Sequence, residues 1–162
     1  MNVERTICGL ATVFDQPSPR GRVWHVEHFR DFLNPTYPSA VPLRVDHGAL
    51  VTSRGVINSI GVVRSFAAVT APVPGLLCLA ELSEIGEGDW LLNDLELMLR
   101  QTWLPAGWGM SLGANRLDDV VIPFEVSVTR SPGFEDAVIL DVGEDAITTW
   151  ELFTGAPIGV RP

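Results

Sequence analysis

Short apolar runs, broken again and again by glycine and proline, restrict this chain more than any other feature of its sequence. "TICGLATVF" (6–14), "AVPLRVDH" (40–47), "GLLCLAELS" (75–83), "VVIPFEVSVT" (120–129) and "AVILDVG" (137–143) are rich in β-branched and aliphatic residues. Turn-forming stretches such as "DQPSPRGR" and "APVPG" punctuate them. Runs of this length and spacing read as strands rather than helices. "GVINSIGVVRSFAAV" (55–69), broken near Gly61, and the region of "WGMSLGA" add further strands. Two segments have helical spacing instead. In "VWHVEHFRDFL" the stripe is Val26, Phe29 and Leu33, widened by Phe32 and stopped at Pro35. In "EGDWLLNDLELMLRQ" (87–101) it is Leu91, Leu95 and Met98, with Asp89 placed as N-cap. About six or seven strands with flanking helices predict an α+β barrel in one domain over 1–162, with loose ends near 1–5 and 152–162.

Composition narrows the chemistry. A net charge of -9 disfavours a phosphate backbone as partner. All eleven basic residues are arginine, so Ser-Lys dyads, Schiff bases and P-loop lysines are excluded together. No apolar run nears the roughly 18 residues of a membrane span, and the first thirty residues lack signal-peptide order, which predicts a cytosolic protein. Cys8 and Cys78 stand apart in apolar surroundings without zinc-ligand spacing and read as buried free thiols. Neither a metal nor a cofactor is expected.

"GWGMSLGA" (107–114) contains Gly-x-Ser-x-Gly, the pattern of an α/β-hydrolase elbow. That triad needs a histidine after the serine, and the three histidines here, His25, His28 and His47, all precede Ser111. Strand-like sequence also follows the motif. A nucleophilic Ser111 therefore belongs to another architecture. Its base is sought among the histidines. His25 and His28 sit in or beside an amphipathic segment where surface histidines are common, whereas His47 ends an apolar strand at a change of chain direction. Period-two alternation sets Gly109, Ser111 and Gly113 on one face, with room for an extended peptide; a crowded strand crossing explains the glycines equally well. Glu125, inside an apolar strand and on the face of Ser127, is the leading carboxylate; Asp46, Asp118 and Asp119 are weaker candidates in or beside turns.

Taken in order, "ICGLATVFD", "VEHFRDFL", "VPLRVDHG", "WLLNDLELMLRQ", "GWGMSLGA" and "PFEVSVTRSPGFEDAVIL" resemble the prohead maturation proteases of tailed bacteriophages, over about residues 6 to 141. Asp46 stands where asparagine is frequent in that family, and "LGA" replaces a more usual Ile-Gly-Phe. The resemblance implies a fold similar to herpesvirus assemblin and a serine endopeptidase. Such an enzyme cuts capsid and scaffold polypeptides inside the assembling procapsid in the host bacterial cytoplasm, with self-cleavage and homo-oligomerisation left open. By position, His47 matches the base, Ser111 the nucleophile and Glu125 the third member. Gly109 and the main chain of Leu112, Gly113, Ala114 and Asn115 are the expected oxyanion and substrate contacts. The rival expectation is a catalytically silent barrel that binds scaffold during capsid assembly.

Overall fold

The structure, a computed structural model, describes residues 1–34, 40–52, 55–84, 94, 97 and 108–158, and among these residues nine strands and one continuous α-helix are the main elements. The strands are β1 (Thr6–Val13), β2 (Val41–Val45), β3 (Leu50–Thr52), β4 (Gly55–Ile57), β5 (Gly61–Val69), β6 (Gly75–Leu82), β7 (Gly109–Leu117), β8 (Val120–Thr129) and β9 (Ile139–Val142). The helix α1 spans Glu144–Thr154. Seven strands form one curled sheet in the order β7-β8-β2-β5-β6-β1-β9, and β3 and β4 form a separate two-stranded hairpin. Every pairing in the large sheet is antiparallel except β2 with β8.

The sheet curls until its far edges meet. Met110 N–H donates to the carbonyl of Ala137 at 2.8 Å, and Leu10 N–H donates to that of Val138 at 3.0 Å. Residues 137 and 138, just before β9, thus join the start of β7 to β1. Glycine makes the approach close enough. A Cβ at Gly9 would lie 2.6 Å from Met110 Sδ and 2.7 Å from the Val138 carbonyl oxygen. The result is a mixed α+β fold built on a seven-stranded half-barrel.

β1 is buried along its whole length because it separates two cores. Ile7, Ala11 and Val13 face inward with Leu43, Val63, Met110 and Val126. Cys8 and Leu10 face outward, where Leu77, Leu79, Ala146 and Trp150 cover them. α1 supplies that cover. Sequence reading passed over this helix, although Ala146, Trp150 and Phe153 lie at helical spacing and Gly155 closes it in a left-handed C-cap. Ile147, Thr148 and Thr149 disguise it, since β-branched residues are weak helix formers that depend on packing.

Other elements differ from expectation in identifiable ways. The helix read over 23–33 is a short 3-10 turn at Val26–Phe29. Phe29 and Phe32 are buried as the stripe requires, but Val26 is exposed and Trp24 is buried in its stead. His25 N–H donates to His28 Nδ1 at 3.2 Å, which tightens the turn. The helix expected at 87–101 lies outside the described residues apart from Asp94 and Leu97, both helical. Cys8 and Cys78 are buried free thiols, and burial, with Asp141 nearby, pushes the Cys8 thiol up to about 12. No helix among the described residues is long and apolar enough to cross a membrane.

Replacing Trp150 with alanine should therefore lower the unfolding free energy by about 3 kcal/mol, in the range of buried aromatic truncations, and should speed native-state reaction of Cys8 with a thiol reagent. Chemical denaturation and timed thiol labelling would check both effects. Unchanged stability and labelling would show that α1 is not an essential cover for the outer core.

Candidate functional site

The side chains singled out in the sequence converge where β7, β8 and the end of β2 lie side by side. β7 and β8 form a hairpin whose turn, Asp118 and Asp119, has Asp118 at φ 52°, as a tight two-residue connection favours. Its register sets Ser111 opposite Ser127, and Gly113 opposite Glu125. On the other side of β8, parallel β2 sets Arg44 beside Ser127. Ser111, Glu125, Ser127 and Arg44 thereby share one face of three adjacent strands.

β2 ends at Val45, two residues earlier than sequence alternation suggested. Asp46 and His47 then adopt left-handed backbone angles, φ 48° and 58°, which turn the chain back over the sheet. Such angles are uncommon for residues with side chains, and polar anchors hold them. Asp46 N–H donates to the Val128 carbonyl at 3.2 Å, and its Oδ1 accepts from Thr129 Oγ1 at 2.6 Å. His47 N–H donates to Ser127 Oγ at 3.0 Å. Asp46 is thus a brace for the turn.

The imidazole faces Glu125. His47 Nδ1 lies 2.5 Å from Glu125 Oε1, and Arg44 Nη1 lies 3.3 Å from Oε2. A carboxylate only accepts hydrogen bonds when ionised, so the neutral imidazole tautomer that fits this contact carries its hydrogen on Nδ1 and has Nε2 as acceptor. Glu125 is 2% exposed, which removes the alternative of a solvated edge position. A charge buried that deeply needs both partners. Arg44 was missed as a site residue by sequence reading; the available signal was an arginine alternating with buried aliphatics in "VPLRV".

Ser111, His47 and Glu125 line one cleft of about 670 Å³, together with Leu112, Gly113 and Ala114. Ser111 is 8% exposed, and among the described residues its hydroxyl makes no hydrogen bond. A methyl group at Gly133 would stand 3.5 Å from that oxygen, so the loop after β8 passes directly over it.

The two glycines beside Ser111 have separate reasons. A Cβ at Gly109 would lie 2.7 Å from the Ala137 carbonyl oxygen, where the half-barrel closes, so this glycine serves the strand crossing. A Cβ at Gly113 would lie 2.4 Å from Glu125 Cγ and 2.8 Å from its Oε1, so this one makes room for the carboxylate. Gly109 and Asn115 are not on the cleft lining. Because Met110 N–H points away from β8, strand alternation turns the N–H and C=O of Leu112 to the free edge of β7, and those of Ser111 and Gly113 toward β8.

The remaining candidates lie elsewhere. His25 Nδ1 pairs with Asp15 Oδ1 at 2.5 Å, and His28 is buried in the 3-10 turn, where desolvation and then Arg116 hold its pKa below the usual histidine range. Asp118 and Asp119 occupy the hairpin tip. Among the described residues no group of three or more His, Cys, Asp or Glu side chains could hold a metal ion. No family model matches the chain, and no curated protein matches it.

Two substitutions probe this geometry. Gly113→Ala should displace the Glu125 carboxylate, so a proton NMR signal from hydrogen-bonded His47 Nδ1–H should be present in the parent and absent in the variant, while circular dichroism stays the same. Arg44→Ala should destabilise the fold by about 1–2 kcal/mol, less than the 3–5 typical of wholly buried pairs because the arginine is partly solvated. A stability difference near zero by denaturation would show that His47 alone suffices to hold the buried charge.

Proposed function

We propose that the chain is a serine endopeptidase of the prohead-protease kind, with a herpesvirus-protease-like barrel, that processes capsid and scaffold polypeptides during procapsid maturation. The observation that carries this reading is the buried Glu125 carboxylate on His47 Nδ1, which leaves Nε2 as a base in the cleft that Ser111 also lines. In the proposed reaction Nε2 takes the Ser111 proton as Oγ attacks a peptide carbonyl carbon. Glu125 stabilises the imidazolium that forms, and the proton then passes to the leaving amine. Water hydrolyses the resulting acyl-enzyme by the same route in reverse. Main-chain atoms of Leu112 on the free edge of β7 would hold the substrate as an added strand.

The rival reading, a silent assembly module, has one observation in its favour: the Ser111 hydroxyl makes no hydrogen bond among the described residues. Catalytic contacts are often loose without substrate, so this geometry is compatible with the protease as well.

Labelling separates the two. A serine-directed phosphonate should modify Ser111, found by peptide mass, and should do so much more slowly when His47 is replaced by alanine. Equal labelling of a His47→Ala variant would show that the histidine is not the base. Co-expression with phage capsid and scaffold proteins should shorten those proteins, and should leave them intact with Ser111→Ala. Full-length products in both cases would favour the assembly module.

A further inference from the structure

The chain is acidic, yet the described lining of its cleft is not. Arg20, Arg22 and Arg44 border it, and among the described lining residues the only carboxylate, Glu125, is already engaged by His47 and Arg44. The other described arginines have work. Arg30, Arg64 and Arg130 pair with Asp31, Glu81 and Asp94, Arg5 donates to the carbonyls of Leu82 and Ser83, and Arg116 donates to the carbonyl of Asp118. Arg20 and Arg22, among the described residues, have neither a side-chain hydrogen bond nor a carboxylate, although the chain has 20 acidic residues against 11 arginines.

Their loop is built to hold them there. Ser18 N–H donates to the Arg22 carbonyl and Gly21 N–H to the Ser18 carbonyl, both at 2.8 Å, while Ser18 Oγ accepts from Arg22 N–H at 3.1 Å. Gly21 takes φ 74° at the tip, and Pro17 bridges Val23. At the base, Asp15 N–H donates to the Trp24 carbonyl at 2.8 Å, and the Asp15–His25 pair clamps the two stems. The Arg22 guanidinium lies 5.2 Å from the centroid of the Trp24 ring, which steadies its plane without neutralising its charge.

We propose that Arg20 and Arg22 form a specificity subsite that selects polypeptides with a glutamate or aspartate close to the bond presented to Ser111. The inference rests on the reading of the cleft as a peptide site. A peptide lying along the free edge of β7 at Leu112 would carry its side chains past this loop, and a carboxylate there would meet two guanidinium groups, each able to form paired hydrogen bonds with it. Both arginines are exposed, so each contact contributes modestly, up to about fivefold in affinity. It is also sensitive to salt.

The test uses the full chain with Ser111→Ala, so that binding is read apart from cleavage. The protein is challenged with pools of eight-residue peptides that fix either Glu or Gln at each position in turn, and bound peptides are quantified by mass spectrometry. Glu pools should be enriched at least about threefold over Gln pools at one or two adjacent positions. The enrichment should shrink in high salt and vanish in an Arg20→Ser/Arg22→Ser variant. Equal enrichment of Glu and Gln pools at every position, or a preference that survives loss of both arginines, would overturn the proposal. Cleavage by the Ser111 protein is scored separately: an acidic preference without any cleavage leaves this subsite standing and removes the endopeptidase.

Discussion

A carboxylate held almost entirely out of water organises this molecule's cleft. Glu125 is 2% exposed, and its charge is tolerable there only because His47 meets one oxygen and Arg44 stands beside the other. That demand explains several otherwise unrelated features. β2 must run parallel to β8 so that Arg44 arrives next to Ser127, and the chain must leave β2 through two left-handed residues so that the imidazole turns back over the sheet. Gly113 must lack a side chain because the carboxylate fills the space one would take. Ser127 completes the arrangement by holding the main chain of His47.

The closure of the half-barrel places the serine. Bonding of Met110 to Ala137 fixes which way β7 presents its main chain, and so which residue, Leu112, turns its groups to the edge away from β8, free among the described residues. The same segment leads back from the loop that crosses Ser111 at Gly133. Core packing and cleft geometry are thus coupled through a few backbone hydrogen bonds. α1, on the outer face, takes no part in the cleft and serves the second core.

Much of this was legible in the sequence, for physical reasons that vary by element. Strands showed clearly because apolar runs and Gly/Pro breaks are local signals, and β1, β6, β7, β8 and β9 fall where those runs lie. The grouping of His47, Ser111 and Glu125 in one cleft followed from residue type, spacing and family resemblance. Arg44 did not show, because its role depends on a parallel pairing between strands about eighty residues apart, which no local pattern encodes. The two glycines around Ser111 read equally as an open face for a peptide or as a crowded strand crossing; Gly109 relieves such a crossing, and Gly113 accommodates the carboxylate. The helix at 144–154 was hidden by its β-branched residues, whose preference packing overrides.

Whether these groups act together on a peptide bond can be read without knowing the natural substrate. An unfolded polypeptide mixture would be incubated with concentrated protein, and every new N-terminus would be sequenced by mass spectrometry, in parallel with Ser111→Ala. The account predicts a set of new termini that recur at related sequences with the parent protein and are missing with the variant. Identical termini in both samples, or none above background in either, would contradict it.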